Sequence, residues 1–384
     1  MVVPGRRLTS LVAASLMALP ALLPAPAHAD DTHTTYGRPA TRCTVTDPRL
    51  DQISGMAASR GALFVVNDTA PVTVWQLDAQ CRAIRQTILT LPAAHDPAAT
   101  LRGYGEKAVD LEDVGVAADG ALWLGDIGGN TSPRLAVSLY RWVPGRTLDS
   151  ARAGIPVTRQ NPIPTVNAVS RYDLRYPDGT HDVEAMLVTL TGQIVLIGKT
   201  TSGVAPVYEA DAPLQPVTTL RRAGSLDLRP WLPGRTGAAL AITGGAVSPD
   251  GVRFVVRTHG AALEWDAPDG DVVQALRNGV PRRLALGRAP QGEAITYSDD
   301  GSALLTAGEQ VPTPLGSVAV TRRPGAAPVF GPVFPPLVLA GAGVSALLVA
   351  AIGLVAARRR RPASPPEAPP ADAVERPLEG AVAR

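Results

Sequence analysis

Three glutamates, Glu112, Glu184 and Glu293, stand at matching places in the chain, each opening an apolar run that turns at a glycine into a second apolar run. Asp110, Asp113 and Asp182 flank them, and the second runs of the pattern are followed by or end in Asn67, Asp68, Asp126, Asn130, Lys199, Arg257, His259 and Glu309. Carboxylates gathered in this way support three chemistries. They could pair with Arg257 and Arg134 or accept backbone hydrogen bonds, holding the fold together; a buried charge is tolerated only when paired and hydrogen-bonded. Glu112, Glu184 and Glu293 could hold Ca²⁺, which needs six to eight oxygens. Or the set could hydrolyse a phosphate or carboxylic ester, with a metal or Lys199 and Arg257 neutralising the charge that develops.

Other chemistries lack their residues. There is no G-x-S-x-G elbow, H-E-x-x-H, phosphate-binding P-loop or G-x-G-x-x-G opening a helix. His28, His33, His95, His181 and His259 are too scattered for a zinc site. The run Asp266 to Asp271 faintly resembles a calcium loop but lacks the distal glutamate, and is read as a turn.

The elements that must position these residues are short β-rich runs, with no window of sustained helical period over residues 42–322. Five hairpins repeat, with turn glycines at Gly61, Gly120, Gly192, Gly251 and Gly301. A third strand follows each, carrying Trp75, Tyr140, Tyr208 or Trp265 in four of them and Val318 or Val320 in the fifth. A fourth run often comes next, as at Ile84 to Leu91 and Arg282 to Leu286. Four antiparallel strands per repeat is the plan of a propeller blade. The expectation is an all-β chain with a β-propeller of five or six four-stranded blades over 42–322, the long interval between Gly120 and Gly192 leaving room for a sixth. A β-sandwich has the same strand count but does not explain the repeat. In a propeller of this strand order the start of each innermost strand lies at one channel mouth. The expected binding set there is Glu112, Asp113, Asp126, Asn130, Asp182, Glu184, Lys199, Arg257, Glu293 and Glu309.

Val247-Ser248-Pro249-Asp250-Gly251, with Gly260 and Leu263-Glu264-Trp265-Asp266, resembles a WD-repeat blade. Four further stretches, Asp110 to Asp113, Gly125 to Asn130, Tyr176-Pro177-Asp178-Gly179 with Asp182 to Ala185, and Gln291 to Ala294, resemble exported actinobacterial propellers of the phytase-like class. The resemblance implies the propeller fold and, as an alternative to a binding module for a small molecule or protein partner, a calcium-assisted phosphoesterase or related hydrolase.

The ends of the chain speak to location. Residues 1–29 carry Arg6 and Arg7, an apolar stretch from Leu11 to Leu23, and Ala27-His28-Ala29, the pattern of a cleaved signal peptide; Pro20 and Pro24 disfavour an uncleaved anchor. A linker is expected over 30–41 and a Pro-rich one over 323–336. The uncharged residues 337–357 are long enough to span a bilayer as a helix, and Arg358 to Arg361 follow at once. The expected topology is a type I single-pass protein of the cell membrane, its body outside the cytoplasm and a disordered Pro-rich tail over 358–384 inside. Cys43 and Cys81 are then placed where a disulfide persists, and that pairing is favoured over two buried thiols.

Composition agrees. The 384-residue chain is 45% apolar and 18% charged, and its net charge of +2 excludes a chain-wide nucleic-acid binder. Arg6 and Arg7, and six arginines against four acids in 358–384, supply the excess, so residues 30–357 stand at −2.

Overall fold

A computed structural model describes residues 33–99, 110–129, 134–147 and 167–323. The segments expected to be a signal peptide, a Pro-rich linker from residue 324, a membrane span and a tail, together with Asn130, lie outside the described residues. No helix among the described residues is long and apolar enough to cross a membrane.

Five sheets form five blades. The chain begins with β1 (His33–Tyr36) and β2 (Ala40–Val45) and continues into blade 1, made of β3 (Ile53–Ser59), β4 (Ala62–Asn67), β5 (Thr73–Leu77) and β6 (Ala83–Ile88). Blade 2 holds β7 (Leu111–Val116), β8 (Leu122–Asp126), β9 (Ala136–Thr147) and β10 (Asn167–Arg175). Blade 3 holds β11 (Val183–Val188), β12 (Ile194–Gly198) and β13 (Val204–Ala210), then lends β14 (Val217–Thr219) to the outer edge of blade 2 before β15 (Arg221–Asp227) completes it. Blade 4 holds β16 (Ile242–Val247), β17 (Arg253–Thr258), β18 (Ala261–Asp266), a short helix α1 (Val272–Asn278) and β19 (Arg282–Leu284). Blade 5 consists of β20 (Gly292–Tyr297), β21 (Ala303–Gly308) and β22 (Thr313–Arg323), and β1 and β2 both pair antiparallel with β22. The ring is therefore closed by strands from both ends of the body.

Two expectations are thereby amended. The blade number is five, and the long interval between Gly120 and Gly192 extends β9 and β10 instead of adding a described sixth sheet. Residues 33–36, expected in a linker, form β1, which is held to Val320–Arg323 by backbone pairing that its polar sequence does not advertise.

The repeat is a consequence of turn and packing chemistry. All five hairpin glycines have positive φ, from 69° at Gly301 to 85° at Gly192, a conformation costly for any side chain with a Cβ. Each blade is covered on both faces by its neighbours, so inner strands such as β11 and second strands such as β17 are buried along their whole length. The core is accordingly divided into five interblade clusters. Trp75 packs with Val45 and Leu315 between blades 5 and 1, Tyr140 with Phe64 and Val74 between 1 and 2, and Tyr208 with Ile127 and Leu139 between 2 and 3. Trp265 packs with Val195 and Val207 between blades 3 and 4, and Val318 and Val320 with Ala262 and Leu284 between 4 and 5. Cys43 and Cys81 form a disulfide, Cα atoms 5.8 Å apart, that joins β2 of blade 5 to the turn after β5 of blade 1.

Candidate functional site at one channel mouth

One local irregularity recurs in every blade and decides what reaches the channel mouth. The pairing of inner and second strands slips between Ile53 and Gly55, Leu111 and Asp113, Val183 and Ala185, Ile242 and Gly244, and Gly292 and Ile295. Such a slip is a β-bulge, which frees a residue from the ladder and re-aims its side chain. The residues so placed are Ser54, Glu112, Glu184, Thr243 and Glu293. In blades 1 and 4 the position stitches the ring, since Ser54 Oγ donates to Leu111 O at 2.5 Å and Thr243 Oγ1 to Gly292 O at 2.9 Å. In blades 2, 3 and 5 a glutamate stands there instead, without the hydroxyl donor that makes this bond.

These glutamates lie within one electrostatic neighbourhood. Lys199 Nζ is 2.7 Å from Glu184 Oε1 and also faces Asp182 and Glu293. Glu112 meets Glu184 and Asp110, and Glu293 meets Glu184 and Glu309. Asp68 faces Glu309 and Asp110, so carboxyls from blades 1, 2, 3 and 5 encircle the mouth. Blade 4 contributes His259, whose Nδ1 is 3.4 Å from Glu293 Oε1 without a hydrogen bond. Burial is the largest influence on the acids. It pushes Glu184 up to about 7 against the pull of Lys199, Glu293 up to about 8 with help from Glu184, and Asp68 up to about 6. Glu112 is raised well above the usual range by burial and by Glu184 and Asp110, and Asp182 is raised by burial while accepting from Gly129 N at 2.9 Å.

Other expected members serve the framework. Asp113, fully buried below the mouth, accepts from Val114 N and Met186 N at 2.8 Å and from Gly245 N at 3.1 Å, tying blade 2 to blades 3 and 4. Burial pushes its carboxyl up to about 8 even though those three donors favour the charged form. Asp126 is paired with Arg134 at 2.8 Å, both out of water, and Arg134 also donates to Gly128 O. Arg257 donates through Nη1 to Ala294 O at 2.6 Å and Ala307 O at 3.0 Å, and burial lowers it to about 10. It therefore joins blade 4 to blade 5 and meets Glu293 only through its field. Reading the sequence missed the division of labour at the bulge; the signal was the alternation of Ser or Thr with Glu at one repeat position.

No group of three or more His, Cys, Asp or Glu side chains among the described residues is disposed to hold a metal ion. At the opposite mouth a cavity of about 460 Å³ is lined by Ser59, Gly120, Leu190, Pro249 and Asp299 among others.

The raised carboxyls set a pH dependence. In the folded protein they keep protons up to about pH 6–8 that the unfolded chain releases near pH 4, so the native state binds more protons and stability falls as pH rises across that window. His259, lowered by burial, works the other way but is one group against several. Urea midpoints should be lower at pH 8 than at pH 5; a midpoint that rises over that interval would show these acids ionised and paired in the native state.

No family model matches the sequence, and no curated protein does. Solved structures with a similar fold include a glutaminyl cyclase of Myxococcus xanthus, 13% identical over 74% of this chain and 97% of that one with a TM-score of 0.39. A gluconolactonase of Xanthomonas campestris is 12% identical over 69% of this chain and 71% of that one, with a TM-score of 0.36. Likeness this distant carries nothing about the chemistry of the mouth.

Proposed function

We propose that the protein is a membrane-anchored, extracytoplasmic β-propeller that binds a ligand or partner through the mouth ringed by Glu112, Glu184 and Glu293. The anchoring rests on the sequence of residues 1–29 and 337–361. The binding reading is carried by one observation. Glu293 is only 7% exposed, yet no hydrogen-bond donor among the described residues serves it, and Glu112, 6% exposed, is hydrogen-bonded among the described residues only to the carboxyls of Asp110 and Glu184. Buried acceptors left empty are costly, and the cost is recovered when a ligand fills them. Lys199, a quarter exposed, keeps the site open to solvent.

A calcium-assisted phosphoesterase has less support. Lys199 is engaged by Glu184 and Arg257 by carbonyls, so carboxyls outnumber the cations that could meet a phosphate. The test is thermal denaturation of the full chain in detergent with Ca²⁺, other divalent ions, amines, sugars and phosphomonoesters. One class should raise Tm in the wild type and fail to do so in Glu184→Gln and Glu293→Gln, because a ligand bound only by the native state must stabilise it. Phosphomonoester turnover abolished by those changes would replace the binding reading with the hydrolytic one. If no class shifts Tm, the binding reading falls.

A further inference from the structure

We propose that the mouth takes its ligand by a vicinal diol, the neutral pair of neighbouring hydroxyls that carbohydrates and cyclitols carry, received by Glu293 of blade 5 and His259 of blade 4. The inference rests on the binding reading above and adds the chemistry of the ligand. Most groups at the mouth already have partners. Lys199 bonds Glu184, the Gly129 amide bonds Asp182, Arg257 bonds two carbonyls, and Glu112 is bonded to the carboxyls of Asp110 and Glu184. Asp68 of blade 1 and Asp110 of blade 2 each keep one oxygen unbonded. Glu293 and His259 are the unengaged groups that stand together and differ in kind. The glutamate is 7% exposed and meets its neighbours through their fields, with no donor among the described residues. The imidazole meets the backbone at Gly292, but its Nδ1 is buried without a hydrogen bond.

Spacing sets the shape of the group they receive. The bulge between Gly292 and Ile295 turns Glu293 into the mouth, and His259 follows the last residue of β17 on the adjacent blade. Nδ1 and Oε1 are 3.4 Å apart. At hydrogen-bond lengths of about 2.8 Å, one oxygen shared between them would be pinched to an angle of roughly 75°. Two hydroxyls on neighbouring carbons reach them side by side instead. Lys199 Nζ, which faces Glu293 and is a quarter exposed, stands ready for a further hydroxyl of the same ligand.

The surrounding charges decide between charged and neutral ligands. Glu293 lies in the fields of Lys199 and Arg257 and of Glu184 and Glu309, and His259 lies in those of Lys199 and Arg257. A cation between the two groups is opposed by the lysine and the arginine, an anion by the glutamates. A neutral group meets neither penalty. Among neutral groups a hydroxyl both donates and accepts, so it serves Nδ1 in either tautomer and Glu293 as acid or as carboxylate. A carboxamide holds its donors and its acceptor in fixed places and lacks that freedom.

Isothermal calorimetry on the full chain, at neutral pH in a detergent without a sugar headgroup, tests this. The probe is myo-inositol, which presents neighbouring hydroxyls in both cis and trans relation. Cyclohexanol supplies a single hydroxyl, and n-butylammonium and inorganic phosphate supply the two charges. Only myo-inositol should bind. Glu293→Leu, and separately the milder His259→Phe at a partly exposed side chain, should each weaken it by about fivefold or more, the loss when a hydrogen bond goes and its partner is left unmet. Glu209→Gln, on the third strand of blade 3, should leave binding unchanged. Cyclohexanol bound as tightly as myo-inositol, a charged probe bound in its place, inositol affinity indifferent to both changes, or no inositol binding would overturn the proposal. The two readings fail separately. A charged ligand from the denaturation panel whose effect is lost in Glu184→Gln removes the diol and leaves the binding site, whereas a mouth that binds no member of that panel removes both.

Discussion

Replacing Arg134 by methionine should lower the unfolding free energy by about 3–5 kcal/mol, the range for removing one partner of a buried ion pair. The side chains of Arg134 and Asp126 are almost wholly out of water and 2.8 Å apart. Without the guanidinium, Asp126 retains Tyr140 OH at 3.1 Å and Asp110 N at 3.0 Å, two donors that carry no charge. Gly128 O loses both of its donors from Arg134 as well. Since Gly128 sits against Asp110 and Glu112, the change should also loosen the mouth and weaken whatever binds there. Asp126→Asn in the Arg134→Met background should restore part of the stability by removing the stranded charge. Urea unfolding of the three variants checks this, and a loss under about 1 kcal/mol for Arg134→Met would mean that the pair behaves as an exposed one.

The second large effect concerns the seam of the ring. Cys43→Ser with Cys81→Ser should lower stability by about 3–4 kcal/mol in the chain-entropy account of a disulfide closing a loop of this length. Blade 5 is assembled from both ends of the body, and β2 is held to β22 by backbone pairing and by Val45 in the cluster shared with blade 1. The disulfide is the covalent tie across that junction. Limited proteolysis of the double variant should therefore cut first in residues 33–45, before any blade interior. Equal stability, or first cleavage elsewhere, would show that backbone pairing with β22 alone secures the seam.

The parts of this fold that could be read in the sequence are those set by local chemistry. Turn glycines at Gly61, Gly120, Gly192, Gly251 and Gly301 mark conformations only glycine adopts cheaply, and the aromatic on each of four third strands marks an interblade contact. What escaped depends on distant partners or on segments too short to show a period. Strand β14 crosses to lie parallel to β10, and β1 pairs with residues nearly 300 positions away. Helix α1 has seven residues, and its one local signal is Asp271, which caps Gln274 N. At the site, the matching positions of Glu112, Glu184 and Glu293 were legible because the repeat aligns them. The fates of Asp126 and Arg257 were not, since each is decided by partners on another strand or blade: Arg134 and Tyr140 for the first, the carbonyls of Ala294 and Ala307 for the second.

Binding at the carboxyl-ringed mouth is tested most directly by a crystal structure of the chain soaked with the ligand that the denaturation screen selects. Ligand density is expected against Glu112, Glu184 and Glu293 at the carboxyl-ringed mouth. Ligand lodged at the opposite end of the channel, in the cavity between Ser59, Gly120, Leu190 and Pro249, with the glutamate mouth left empty, would contradict it.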